Sequence, residues 1–175
     1  MNTNEIKVSL EEIRAQSPCV DGWRKVLADK GPDMKSQFPL SDIIETNDLD
    51  DALWTLRCRP EYNKLWRKYA VWCARQVEHL MPDDRSKNAL DVAWRHSDGL
   101  ATDEELAAAG AAARDAARAA AGVAARAAAW AAVWAAARDA ARAPAEAAAG
   151  AAAWDAVRAA QKQKLIEILT AGEWV

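Results

Sequence analysis

Few side chains in this sequence have the types and spacing that chemistry requires. The two histidines, His79 and His96, lack an HxxxH, HExxH or cysteine partner at metal-ligand spacing. His79 closes an apolar-periodic segment, where a cationic ring complements the negative end of a helix, and His96 reads as a surface or capping residue. Cys19, Cys58 and Cys73 are odd in number and widely spaced, which argues against a disulfide framework; they are expected to be buried thiols in a reducing compartment. Cys73 falls on an apolar stripe with no histidine on the adjacent turn to lower its pKa, so packing outweighs nucleophilicity. The acidic run Asp48, Asp50, Asp51 could hold a divalent cation together with a distant carboxylate, but its place before an apolar-periodic segment fits helix capping better. Asp83 and Asp84 precede Ser86 in the same manner. GxSxG, Walker and GxGxxG patterns are all missing. The sequence therefore predicts no catalytic residue, no cofactor and no metal site, and the chain is expected not to be an enzyme.

The elements that would position such residues are helical. Ser9 and Glu12 have capping-box spacing, Ser17-Pro18 reads as a stop and restart, and Trp23, Val26 and Leu27 mark a short helix ended by Gly31-Pro32. Residues 28–40 are expected to form a loop. Asp48 caps a helix with the stripe Leu49, Ala52, Leu53 and Leu56, which ends before Pro60. The strongest periodicity runs from Tyr62 through Leu65, Trp66, Tyr69, Trp72 and Cys73 to Leu80, predicting one long core helix stopped by Met81-Pro82. Ser86 is expected to cap a helix carrying Ala89, Leu90, Ala93 and Trp94, ended by Gly99. Thr102 and Glu105 then form a second capping box.

From Leu106 the non-alanine residues, with a few exceptions such as Asp115, Asp139 and Asp155, fall on a four-residue grid that includes Gly110, Arg114, Arg118, Gly122, Arg126, Trp130, Trp134, Arg138, Arg142, Glu146, Gly150, Trp154, Arg158 and Lys162. Four residues advance about 400° around an α-helix, so the marked stripe drifts by about 40° per repeat and cannot hold one face. A single helix over this tract would exceed ~80 Å. Breaks are expected at Gly122 and Pro144, giving close-packed alanine-rich helices with Trp130 and Trp134 as knobs. The arginines are spread around the helices and offset by Asp115, Asp139, Glu146 and Asp155, which favours a solvated or salt-bridged surface over a phosphate-tracking one. The tract lacks the threonines of an ice-binding face and the broad apolar face of a membrane-surface helix.

The 175 residues carry a formal charge of −3 and nine tryptophans, and 51% are apolar. That length is ample for one helical domain, read as a mixed helical half over 1–100 with an alanine-rich half over 101–172 packed on it. The acidic balance does not suit a nonspecific nucleic-acid binder, so nucleic acid is not an expected partner. No signal-like start and no run of ~18 apolar residues is present, so a soluble, cytoplasmic protein without membrane association is expected. The predicted fold class is all-α, a compact multi-helix bundle.

The segment AVWCARQVEHLMPDDRSKNALDVAWRHSDGLATDEELAAA, Ala70–Ala109, resembles the alanine-rich immunity protein family of bacteria and phages. In that family a helix ending in His-Leu and a Pro-Asp turn is followed by a capped helix and an Ala/Arg/Trp repeat. The specific part spans Leu49–Leu106. The resemblance implies an all-helical, non-enzymatic inhibitor that neutralises a toxin or a host defence effector by occlusion; a phage anti-CRISPR falls within this expectation. The expected partner is a protein effector, and a homodimer is compatible with it. Exposed tryptophan and arginine are the favoured anchors of such a surface, with Trp174 a candidate partner-binding residue. The alternative is a structural or assembly protein that oligomerises through its alanine-rich helices.

Overall fold

The computed structural model describes residues 4–76, 78–81, 83–116, 118 and 143–175, with the side chains of the last helix described from Asp155 onward. Among them the fold is predominantly all-α, with one two-stranded sheet. The chain divides into two compact units, residues 1–69 with 160–175, and residues 70–159.

The first unit is built around a feature that sequence periodicity does not reveal. Strand β1 (Lys7–Ser9) pairs antiparallel with β2 (Gln37–Pro39), in the register Lys7 to Pro39, Val8 to Phe38 and Ser9 to Gln37. Residues 28–40, expected to be a loop, thus contain the end of one helix and a strand. Each strand is only three residues long, too short for alternation to register, and the pairing is specified by burial of Val8 and Phe38. The pair is extended by Leu40 N–H donating to the Ile6 carbonyl at 2.9 Å and Ile6 N–H donating to the Leu169 carbonyl at 2.9 Å. Ile6, Leu10, Leu40, Ile43, Leu165, Ile168 and Leu169 form the fully buried apolar centre of this unit.

Around it lie α1 (Leu10–Ala15), α2 (Val20–Lys30), α3 (Asp42–Thr46) and α4 (Leu49–Thr55). The first capping box forms as expected: Glu12 N–H donates to Ser9 Oγ at 3.3 Å, and Ser9 N–H donates to Glu12 Oε2 at 2.7 Å. Ser17 takes a positive φ of 56° between α1 and α2, and Gly31 at φ 74° ends α2. Asp48 caps α4, its Oδ1 accepting from Asp51 N–H at 2.9 Å. Two 3₁₀ turns, Leu56–Cys58 and Pro60–Tyr62, lead into α5 (Asn63–Arg75).

Arg59, between those turns, ties them to the start of the chain. Its guanidinium donates to Glu12 Oε1 at 2.5 Å, to Glu12 Oε2 at 2.9 Å and to Gln37 Oε1 at 3.1 Å, and its Nε to the Lys7 carbonyl. Foremost the Arg59 hydrogen bonds, aided by Ser9 and Gln37 and opposed by burial, hold the Glu12 carboxyl at about 2. A depressed carboxylate pKa stabilises the fold above the unfolded value, 4.5, and that stability is lost as pH falls through 4.5 toward 2. With 35% of the Glu12 side chain exposed, solvent screening limits the contribution to about 1–2 kcal/mol. Urea melts at pH 7 and pH 3 should therefore show a smaller acid-induced loss for Glu12→Gln than for the parent protein.

The second unit contains α6 (Asp84–Ser97) and α7, over 103–116. Where one long helix was expected from Tyr62 to Leu80, α5 stops at Arg75 and a 3₁₀ turn, Glu78–Leu80, follows. The last turn tightens, Gln76 N–H reaching the Cys73 carbonyl at 3.3 Å, while the Arg75 guanidinium leaves the helix for Asp91 at 2.6 Å and the Trp94 ring at 5.2 Å. Trp72 is half-buried, whereas Val71, off the expected stripe, is buried. The cap of α6 is Asp83 rather than Ser86: Asp83 Oδ1 accepts from Arg85 N–H at 2.9 Å, and Ser86 lies inside the first turn. Val92 and Ser97 are the buried positions of α6, in place of the expected alanine, leucine and tryptophan. Gly99 ends it at φ 75°, and the second capping box forms, Thr102 N–H donating to Glu105 Oε2 at 2.7 Å and Glu105 N–H to Thr102 Oγ1 at 3.2 Å.

The final helix α8 (Ala143–Ala171) has Pro144 in its first turn, where the missing N–H costs nothing. Helices α5 and α8 each contribute residues to both units. The expected break at Gly122, the knobs Trp130 and Trp134, and Arg126, Arg138 and Arg142 lie outside the described residues, as do Val77 and Pro82. No helix among the described residues is long and apolar enough to cross a membrane.

Candidate functional site

A partly enclosed hollow lies in the first unit, between the start of α2 and α4, with a volume of about 50 Å³. Its position follows from local sequence. Pro18 precedes Cys19, which adopts an extended backbone and caps α2, Gly22 N–H donating to the Cys19 thiol sulfur at 3.3 Å. Gly22 is buried because α2 and α4 approach closely there: a Cβ would stand 2.9 Å from Asp51 Oδ2 and 3.1 Å from Cys19 Sγ. Asn47 ends α3 and Asp48 begins α4 in consecutive positions, which turns the Asn47 side chain toward Gly22 and Asp51.

The polar edge of the hollow is held by hydrogen bonds. Asn47 Nδ2 donates both to the Gly22 carbonyl at 3.0 Å and to Asp51 Oδ2 at 2.7 Å. Both neighbours are acceptors, which fixes the amide orientation, since a flipped amide would face oxygen with oxygen at both contacts. Asn47 Oδ1 is consequently a buried acceptor without a hydrogen-bonded donor. Thr55 Oγ1 donates to the Asp51 carbonyl at 2.8 Å and anchors the other end of the same turn. Trp23 and Trp54, both half-buried, supply the aromatic walls, and Ile13, Val26 and Ile43 the apolar floor. Trp54 also carries the Arg57 guanidinium 4.3 Å from its ring centroid, and Arg57 Nε donates to the Trp54 carbonyl at 2.8 Å. No lysine, arginine or histidine among the described residues lines the hollow, which presents two indoles and one carboxylate.

The residues singled out in the sequence are not gathered into one place. Cys19 is exposed rather than buried, because its thiol serves as a cap. Cys58 is buried, and burial, with Glu12 nearby, raises its thiol to about 11, so it stays protonated and inert. Cys73 is half-buried. Of the acidic run, Asp48 caps α4 and Asp51 lines the hollow. No group of three or more His, Cys, Asp or Glu side chains able to hold a metal ion occurs among the described residues. His79 is exposed in the 3₁₀ turn, and His96 Nε2 lies 2.7 Å from Asp103 Oδ1. Trp174 is half-buried under the Lys164 ammonium, 5.2 Å from the ring centroid, while Lys164 also donates to the Val175 carbonyl at 2.6 Å. Arg114 is exposed and Arg118 pairs with Asp115 at 3.0 Å, as a solvated, salt-bridged surface requires.

Gly22 and Asn47 are the functional candidates that sequence reasoning passes over. The adjacent Asn47 and Asp48, one ending a helix and one starting the next, are the only sequence signal for them; the meeting of α2 with α4 is not encoded at short range. No family model matches this chain, and neither a curated protein nor a solved structure shows detectable similarity to it.

Proposed function

We propose that the protein is a non-enzymatic binding protein that neutralises a protein effector by occlusion, the immunity- or anti-CRISPR-type activity that the sequence resemblance implies. The observation that supports this reading is the hollow between α2 and α4, where two half-buried tryptophans flank a hydrogen-bonded polar edge. Tryptophan is the side chain most enriched among the residues that dominate binding energy, and it does so in concave, preorganised settings. Val20, 63% exposed at the first turn of α2, adds apolar surface beside Cys19. A stable interface needs ~800 Å² from each partner, which a chain of this size can present around such an anchor.

The test is affinity capture from the cells in which the protein occurs, followed by an activity assay of the captured effector. The parent protein should bind the effector and suppress it stoichiometrically. Trp23→Ala should weaken binding by about thirtyfold or more, the scale of a hot-spot truncation, with an unchanged helical circular dichroism spectrum. An effector that works normally in the presence of excess protein would sink the reading. Light scattering separates the assembly alternative: a stable higher oligomer would favour it over a monomeric or dimeric inhibitor.

A further inference from the structure

We infer that the hollow between α2 and α4 is a receptor for a guanidinium group, the head of an arginine side chain presented by a protein partner. The inference rests on the proposed binding role only for the source of the arginine; the chemistry of the site stands on its own geometry.

The argument for a cation begins with charge. Asp51 brings a carboxylate to the lining of the hollow. No basic side chain among the described residues lines the space to cancel the carboxylate.

Guanidinium is favoured among cations by shape. Indole faces attract cations, and guanidinium is planar, stacks on aromatic rings and donates from several N–H groups in a fixed fork. Trp54 already demonstrates this contact, carrying Arg57 at 4.3 Å although Arg57 itself does not line the hollow. The space, about 50 Å³, exceeds the ~10–15 Å³ that a single water needs. An ammonium ion would satisfy the charge and can donate to a carboxylate, but it cannot stack flat on an indole. A side chain at Gly22 would press on Asp51, since an added Cβ would stand 2.9 Å from its Oδ2.

The experiment follows the indole N–H resonances of Trp23 and Trp54 and the Asn47 side-chain amide of the full chain by ¹⁵N–¹H correlation at constant ionic strength. Ethylguanidinium chloride should give saturating shifts confined to these three groups. Ethylurea, of the same shape but neutral, and ethylammonium should each bind at least about tenfold more weakly. Asp51→Asn, which keeps the hydrogen-bonding shape, should weaken ethylguanidinium by about tenfold or more, and Gly22→Ala should abolish the response. Equal responses to ethylurea and ethylguanidinium, or no saturating shift in the parent protein, would overturn the assignment, and neither comparison depends on a variant folding.

The source of the group is read with acetyl-Gly-Gly-Arg-Gly-Gly-amide and its citrulline counterpart. Binding of the arginine peptide, at least about tenfold tighter than the citrulline peptide, supports a partner's side chain. Binding of free arginine with an inert peptide would overturn that source and mark a small-molecule site. If the guanidinium titration fails while Trp23→Ala still releases the captured effector, this inference falls and the proposed function survives. A positive titration with an effector indifferent to Trp23→Ala and Asp51→Asn leaves the receptor chemistry intact and removes its role in inhibition.

Discussion

Replacing Ile168 with alanine is expected to lower stability by about 3–4 kcal/mol, at the upper part of the range for a buried branched aliphatic. Ile168, like Leu165 and Leu169, has no measurable exposure, so nothing but protein can relax into the vacated volume. Its neighbours are also fixed by backbone bonds: the Leu169 carbonyl accepts from Ile6, and the Ile6 carbonyl from Leu40, which holds the last turns of α8 to the strand pair. A lattice of that kind cannot collapse onto a cavity without breaking a buried hydrogen bond, and this places the loss near the top of the range. The midpoint of a urea melt with unchanged slope is the measurement. A shift equivalent to less than about 1 kcal/mol would mean that α8 is not part of the cooperative core.

The second large effect is expected at Gly172, and it comes with built-in controls. Gly31, Gly99 and Gly172 all hold a positive φ between 73° and 75°, so alanine at any of them meets the same backbone penalty. That penalty is about 1 kcal/mol. At Gly31 and Gly99 an added Cβ would meet nothing within 4 Å, whereas at Gly172 it would overlap the Asn4 carbonyl oxygen. The chain end must move away from the N-terminal strand to admit it. Gly172→Ala should therefore cost about 3 kcal/mol or more against about 1 kcal/mol for Gly31→Ala and Gly99→Ala. Three equal losses would show that the φ penalty alone operates, and that the Asn4 contact contributes nothing.

The difference between the two kinds of glycine marks the boundary of what the sequence discloses. A helix terminus is a local object, and Gly31 and Gly99 were legible from their positions after apolar stripes. The same holds for the two capping boxes, Ser9 with Glu12 and Thr102 with Glu105, whose partners lie three residues apart. Local rules fail where a distant partner competes. The Arg75 side chain, on the last residue of α5, reaches Asp91 and Trp94, and α5 ends sooner than its periodicity implies. The strands are invisible for the same reason: three residues each, they exist because Val8 and Phe38 share a core with residues from the far end of the chain.

The candidate site follows this division. Asp51 reads in the sequence only as part of an acidic run, and Cys19 reads as a buried thiol, whereas its thiol caps a helix at the surface. Trp23 and Trp54 sit on separate helices whose stripes say only that each is amphipathic. What makes the hollow is the absence of a Cβ at Gly22 and the locked amide of Asn47, both meaningful only once α2 and α4 are side by side.

The bond between Ile6 and Leu169 has a consequence for the order of events during synthesis. One compact unit comprises residues 1–69 and 160–175, while residues 70–159 belong to the other. On the ribosome the opening segment must wait through the translation of that whole insert before Leu165, Ile168 and Leu169 arrive to seal it. At ~5–20 residues per second the wait lasts on the order of ten seconds. Throughout that interval Ile6, Val8 and Leu40 are without their final cover, and the strand pair is a sheet edge open to other chains. This unit is thus completed only once residues 160–175 have been made, and slowing translation should increase chaperone association with ribosome-bound chains instead of improving yield.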